Sequence, residues 1–197
     1  MADLHESAKA AYAPQGDRGY TYADYASWDD DKRWELIDGV AYAMSAPVTA
    51  HQAISGELFL QISSFLKGKP CRVFAAPYDI RLNADETDDT VVQPDITVIC
   101  DRAKIDEKGC KGAPDLVIEI LSPSSARHDR LRKFHAYRKA GVPEYLIVDP
   151  DTRMAEACVM VDGHYSMARY DDTDLVPLHT LPGLSLSLPE AFAEMDR

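Results

Sequence analysis

Residues 114–150 read PDLVIEILSPSSARHDRLRKFHAYRKAGVPEYLIVDP, and the pattern changes character at each end of a central basic segment. Leu116 to Leu121 is an almost unbroken apolar run, as expected of a strand covered on both faces. Glu119 interrupts it. Side chains alternate along a strand, so Asp115, Val117, Glu119 and Leu121 share one face. A carboxylate in that setting needs an ion-pair partner, hydrogen-bond donors or a cation, because an unpaired buried charge is strongly unfavourable.

Ser122-Pro123-Ser124-Ser125 reads as a turn that ends in a helix N-cap, and Gly141 as the helix stop. Stepping about 100° per residue gathers His128, Arg132, His135 and Lys139 on one side. Leu131, Phe134, Ala136, Tyr137 and Ala140 cover most of the opposite arc. Lys133 falls among the alanines and Tyr137, on the side that should face the sheet. Such a lysine usually lays its stem on apolar surface and sends its ammonium to water. With Glu119 in the preceding strand, the balance moves away from that snorkelling reading. Glu144 to Asp149 is the next strand, which makes the whole stretch strand, turn, helix, strand.

Outward from this unit, residues 1–19 lack periodicity and are expected to form a flexible leader, with residues 20–197 as one domain. Thr21 should cap a short helix running to Trp28. Asp38-Gly39 between Trp34–Ile37 and Val40–Met44 signals a hairpin. Within it, Glu35 shares a face with Ile37 and by default points to solvent. Thr49-Ala50-His51-Gln52 fits a capping box opening a helix to about Leu66. His51, Ile54, Leu58, Ile62 and Phe65 form its stripe, and His51 reads as a hydrogen-bonded packing residue. Cys71–Leu82 and Val91–Cys100 read as strands, the first kinked at Pro77 and the second irregular near Pro94-Asp95. Residues 104–113 read as a loop. Ala155–Val161 and Tyr165–Tyr170 flank Asp162-Gly163 as a second hairpin. A short strand at Leu184–Leu188 and a helical turn at Pro189–Met195 close the chain.

Composition narrows the function classes. No apolar run reaches the ~18–20 residues of a membrane span. Cys71, Cys100, Cys110 and Cys158 show neither CxxC pairing nor zinc spacing, so they read as reduced thiols of a cytoplasmic protein. A formal net charge of −12 argues against coating nucleic acid by bulk attraction. The charge is uneven, however. Residues 83–107 hold eight acids against Arg102 and Lys104, whereas residues 122–139 hold six cations against Asp129 alone. Arg127, Arg130 and Arg132 are the candidates for phosphate contacts, although a solvated helix face is the commoner meaning of such a run.

From residue 50 to 149 the order is helix, strand, strand, strand, helix, strand. Asp95 opens the second of these strands and Glu119 lies within the third. If the two strands are neighbours, their carboxylates share a spot suited to a hard divalent cation, Mg²⁺ or Mn²⁺ rather than zinc. Metal-assisted phosphodiester hydrolysis uses such a site, and a nearby lysine orients water and stabilises the transition state.

The elements WELIDG, PVTAHQAISGEL, QPDI, APDLVIEILSPSS and RKFHAYRKAGVPEYLIVDP resemble the Uma-type family of restriction endonucleases in the PD-(D/E)XK nuclease superfamily. The likeness runs from about residue 21 to 190. It implies a restriction-endonuclease-like αβββαβ core, an α/β fold of α+β type with a mixed sheet, extended by N-terminal and C-terminal β-hairpins. It further implies Asp95 as the motif aspartate and Glu119 as the acid of the D/E-X-K element, together binding Mg²⁺ (or Mn²⁺). The D/E-X-K lysine should stand two residues after Glu119, where this chain has Leu121. Lys133, from the following helix, is the residue expected to replace it, with Glu35 as an added acidic contributor. The expected activity is metal-dependent cleavage of DNA by a homodimer. The alternative is a catalytically silent nuclease-fold module for binding or assembly. Serine chemistry at Ser122 or Ser124 lacks a G-x-S-x-G elbow and carries little weight.

Overall fold

The central apolar run forms β9 (Leu116–Ile120), buried at all five positions. It pairs in parallel with β10 (Glu144–Asp149) through α3 (Ala126–Ala140), because a parallel pair needs a long crossover between its strands. The computed structural model describes residues 19–197 except 30, 85 and 123–125, and no side chain of residues 126–129. The expected leader therefore lies outside the described residues but for Gly19, as does the expected turn and N-cap at residues 123–125.

β9 and β10 sit in a six-stranded mixed sheet with β3 (Arg72–Ala75), β6 (Ile96–Ile99), β11 (Met154–Val161) and β12 (His164–Asp171), in the order β12-β11-β10-β9-β6-β3. One face carries α2 (Thr49–Leu66). Ile54, Leu58, Ile62 and Leu66 of this helix pack on Ile96, Val98, Leu116, Ile118, Leu146 and Val148. Ala136 and Tyr137 of α3 pack on the other face against Val117, Tyr145 and Ile147. The alternation expected along β9 is thus realised, with even positions toward α2 and odd positions toward α3. The order α2, β3, β6, β9, α3, β10 is the expected αβββαβ core.

A second sheet is built from short strands: β1 (Trp34–Ile37), β2 (Val40–Ala43), β4 (Ile80–Arg81), β5 (Val91–Val92), β7 (Ile105–Asp106) and β8 (Gly109–Lys111). Both Asp-Gly turns form the expected hairpins. Asp38 and Gly39 have φ of 47° and 76°, and Asp162 and Gly163 have 48° and 78°. Two successive left-handed residues make the tight turn whose twist suits a two-residue hairpin. α1 (Tyr22–Tyr25) is capped reciprocally by Thr21 and Asp24. β13 (Leu175–Pro177) pairs with β14 (Ser185–Ser187), and α4 (Leu188–Met195) packs Phe192 beneath them.

Several expectations need correction. The long strands 71–82 and 91–100 are each divided between the two sheets, at Pro77 and Pro94, since proline removes a ladder donor. The expected loop 104–113 contains the β7–β8 hairpin. α2 begins after Val48 without a side-chain cap, so the Thr49 capping box does not form. Leu131 is 58% exposed rather than part of the buried arc. The thiol assignment fails for one pair: Cys71 and Cys100 are disulfide-bonded. Arg72 faces Ile99 across the β3–β6 ladder, so the next pair outward is Cys71 and Cys100, side by side at the strand ends. A cytoplasmic setting inferred from reduced thiols loses that support. Cys110 and Cys158 are free and buried. Among the described residues no helix is long and apolar enough to cross a membrane.

Candidate active site

Strand register decides where the acids meet. Ile96 stands opposite Ile118 in the antiparallel β6–β9 ladder, so one step further Asp95 stands opposite Glu119. The Ile120 N–H donates to Oδ2 of Asp95 at 2.8 Å, which ties the first acid to the backbone beside the second. His51, at the head of α2, reaches the same oxygen with Nε2 at 3.1 Å. Its Nδ1 is buried and has no hydrogen-bond partner among the described residues.

Lys133 comes down from α3 onto this spot. Its Nζ lies 2.9 Å from Oε1 of Glu119 and 2.8 Å from Oε1 of Glu35. All three side chains are buried, with residue exposures of 8% for Lys133, 8% for Glu119 and 6% for Glu35. The snorkelling lysine is therefore excluded, and so is the solvent-facing Glu35. β1 presents Glu35 and Ile37 toward α3, while Trp34 and Leu36 pack into a separate aromatic cluster. Tyr137, one turn after Lys133, donates its hydroxyl to Oε1 of Glu119 at 2.6 Å.

These contacts leave a pattern. Lys133 and Tyr137 both engage Oε1 of Glu119, and Ile120 and His51 both engage Oδ2 of Asp95. The bonds named above fall on a single oxygen of each carboxylate. Two neighbouring carboxylates suit a hard cation that retains several waters. Among the described residues no group of three or more His, Cys, Asp or Glu side chains is placed to hold a metal ion, so a cation at this spot would rest on two carboxylates and water.

Electrostatics point the same way. Burial pushes the Glu119 carboxyl up, the Lys133 ammonium pulls it down, and Asp95 and Glu35 push it up again, to about 7. Glu35 and Glu119 flank one ammonium and Asp95 acts on Glu119 from across the ladder, and that excess of negative charge favours a further cation or a bound proton. Burial opposes the Lys133 ammonium, but Glu119 and Glu35 outweigh it and hold the lysine well above its ordinary value. Burial likewise works against a charged His51, and its bond to Asp95 with the nearby Glu119 charge reverses the sign, raising it.

Around Glu35 lies a set of polar residues that sequence reasoning missed. The Gln93 N–H donates to Oε1 of Glu35 at 2.8 Å. Its side-chain amide donates to Asp79 at 2.8 Å and accepts from Arg33 at 2.8 Å, while Tyr25 donates to the same Asp79 oxygen at 3.0 Å. Gln93 precedes Pro94 in a buried turn, and a polar side chain flanked by Val92 and proline was the available signal. Tyr137 was visible on the helical wheel only as an apolar residue.

The basic residues of α3 are not all free for phosphate. Arg130 is ion-paired to Glu156, and Arg132 places its guanidinium 4.2 Å from the Tyr42 ring centroid. The Arg127 side chain lies outside the described residues.

A family model, Uma2, described as "Putative restriction endonuclease", matches residues 22–189. An uncharacterised protein of Synechocystis sp. is 28% identical over 169 residues, covering 84% of this chain and 87% of that one. The fold is similar to the crystal structure of a "putative nuclease belonging to DUF820" from Anabaena variabilis. That match has a TM-score of 0.74 at 24% identity and covers 89% of this chain and 99% of the other.

Proposed function

This chain belongs to the Uma2 family of restriction-endonuclease-like proteins, and on that premise we propose that it hydrolyses phosphodiester bonds of DNA with Mg²⁺ or Mn²⁺. Asp95 and Glu119 are the residues that would hold the cation. When bound, such a cation lowers the pKa of a water and neutralises charge on the scissile phosphate. The observation that carries the reading is the meeting of Asp95, Glu119 and Lys133 at one buried spot drawn from two strands and a helix.

Each residue of the site then has a distinct role. Lys133 is held as an ammonium by Glu35 and Glu119, so it serves as a cationic donor rather than a base. It orients the attacking water and stabilises charge on the phosphorane-like transition state. Glu35 and Tyr137 are positioning residues, the first fixing Lys133 and the second holding one Glu119 oxygen. His51 and the Ile120 N–H orient Asp95 in the same manner. One such site serves one strand, so duplex cleavage calls for a homodimer.

The test is supercoiled plasmid incubated with the purified protein and Mg²⁺ or Mn²⁺. Nicked or linear product is expected, abolished by chelation and reduced at least about 100-fold in Glu119→Gln. Intact plasmid with every metal, together with intact RNA and single-stranded DNA, would leave a silent nuclease-fold module in its place.

A further inference from the structure

At the far end of β6 from Asp95, the surface changes sign. A cleft of about 650 Å³ is lined there by Lys67, Lys69, Arg72 and Arg102, and no acid lines it. A second hollow of about 520 Å³ on the other side of β3 shares Arg72 and Arg102. The four cations come from three different places: the end of α2, the outer strand β3, and the turn after β6. All are exposed, and none is ion-paired to a described residue. The chain's net charge of −12 makes this acid-free cluster of four cations a local exception.

A helix C-terminus attracts lysines through its dipole, which accounts for Lys67 and Lys69. It does not account for Arg72 and Arg102. Those arginines are held beside the cleft by the Cys71–Cys100 disulfide, which clamps the β3 and β6 ends next to them. The clamp holds the two arginine-bearing segments side by side, and guanidinium groups match phosphate oxygens in bidentate geometry.

We propose that this cleft is a second nucleic-acid contact, gripping the sugar-phosphate backbone away from the candidate metal site. The proposal rests on the nuclease reading above for the identity of its ligand. The four residues of β6 separate Asp95 from Cys100, five steps or about 17 Å at strand spacing. That is about half a turn of B-form duplex, so one duplex of ordinary length spans both places. The cleft supplies affinity without sequence preference, since backbone contacts position nucleic acid rather than read it. It also answers how so acidic a protein holds a polyanion: the attraction is local, within a Debye length of ~10 Å at 0.1 M salt.

The experiment is fluorescence anisotropy of a labelled 30-base-pair duplex with the full chain in EDTA, across a sodium chloride series. Wild type is compared with R72E/R102E and K67E/K69E, each checked for fold by circular dichroism. Removing one cation–phosphate interaction should lower the slope of log K against log salt by about 0.9. Both double variants should bind at least tenfold more weakly, while cleavage at saturating duplex stays unchanged. Equal affinity and slope in wild type and both variants would overturn the cleft, as would binding of polyphosphate or heparin with no binding of duplex. The two readings fail separately. Cleft-dependent binding without cleavage in Mg²⁺ or Mn²⁺ sinks the nuclease reading alone, and cleavage with unaltered binding in both variants sinks the cleft alone.

Discussion

Lys133 holds two carboxylates, and its removal leaves both without their shared partner. Breaking a buried ion pair from one side typically costs about 3–5 kcal/mol, because the remaining charge stays uncompensated. Lys133→Met, which keeps the stem and deletes the ammonium, should therefore lower unfolding free energy by about that amount in urea titrations. A loss under about 1 kcal/mol would mean the ammonium does not hold Glu35 and Glu119 together. Glu119 gives a second prediction. Its carboxyl is held at about 7 in the folded chain, against about 4.3 when unfolded. The folded state thus binds this proton more tightly, and the stability it contributes is full below about pH 4.3 and lost as pH rises through about 7. Metal-free wild type should lose up to about 3 kcal/mol relative to Glu119→Gln between pH 5 and 7.5. Parallel stability curves for the two proteins would contradict the assignment.

Among the elements, the β3–β6 pair makes the sharpest chemical prediction. With Cys71 and Cys100 joined, only Cys110 and Cys158 remain as thiols, and burial pushes them up to about 12 and about 11. A thiol reagent at pH 8 should titrate none in the native protein and two after denaturation without reductant. Four would show that the disulfide is absent. This pair also marks where the sequence stops being informative. The β9–α3–β10 unit was legible because its apolar runs and the 3.6-residue stepping of α3 are local patterns. Asp95, Glu119 and Lys133 stood out as charges in apolar surroundings. Cys71 and Cys100 carry no such signal, because their meeting depends on the register of two strands 29 residues apart. The same holds for Gln93 and Tyr137, whose roles come from what lies across a ladder or a helix interface; His51 was legible as a hydrogen-bonded packing residue, though not its partner Asp95. Glu35 was placed in the right hairpin but on the wrong side of the burial boundary, since the sheet that covers it is assembled from six short strands.

At the scale of the whole molecule, the candidate site lies where the two sheets and α3 meet. Glu35 comes from one sheet, Glu119 and Asp95 from the other, and Lys133 bridges them. Its formation is therefore inseparable from folding of both sheets, and no single element presents it alone. The charge layout suits the proposed phosphodiester chemistry. Acids concentrate in the buried site and the 83–107 segment, while exposed cations gather at the cleft beyond β6. The central claim is that Asp95 and Glu119 together hold one divalent cation. It is tested most directly by titrating Mn²⁺ into the protein and following the free-ion electron paramagnetic resonance signal at pH 8. The account predicts one site per chain, weakened at least tenfold in both Asp95→Asn and Glu119→Gln and unaffected by Arg169→Ala. No saturable site, or a site that survives both carboxylate changes, would contradict it.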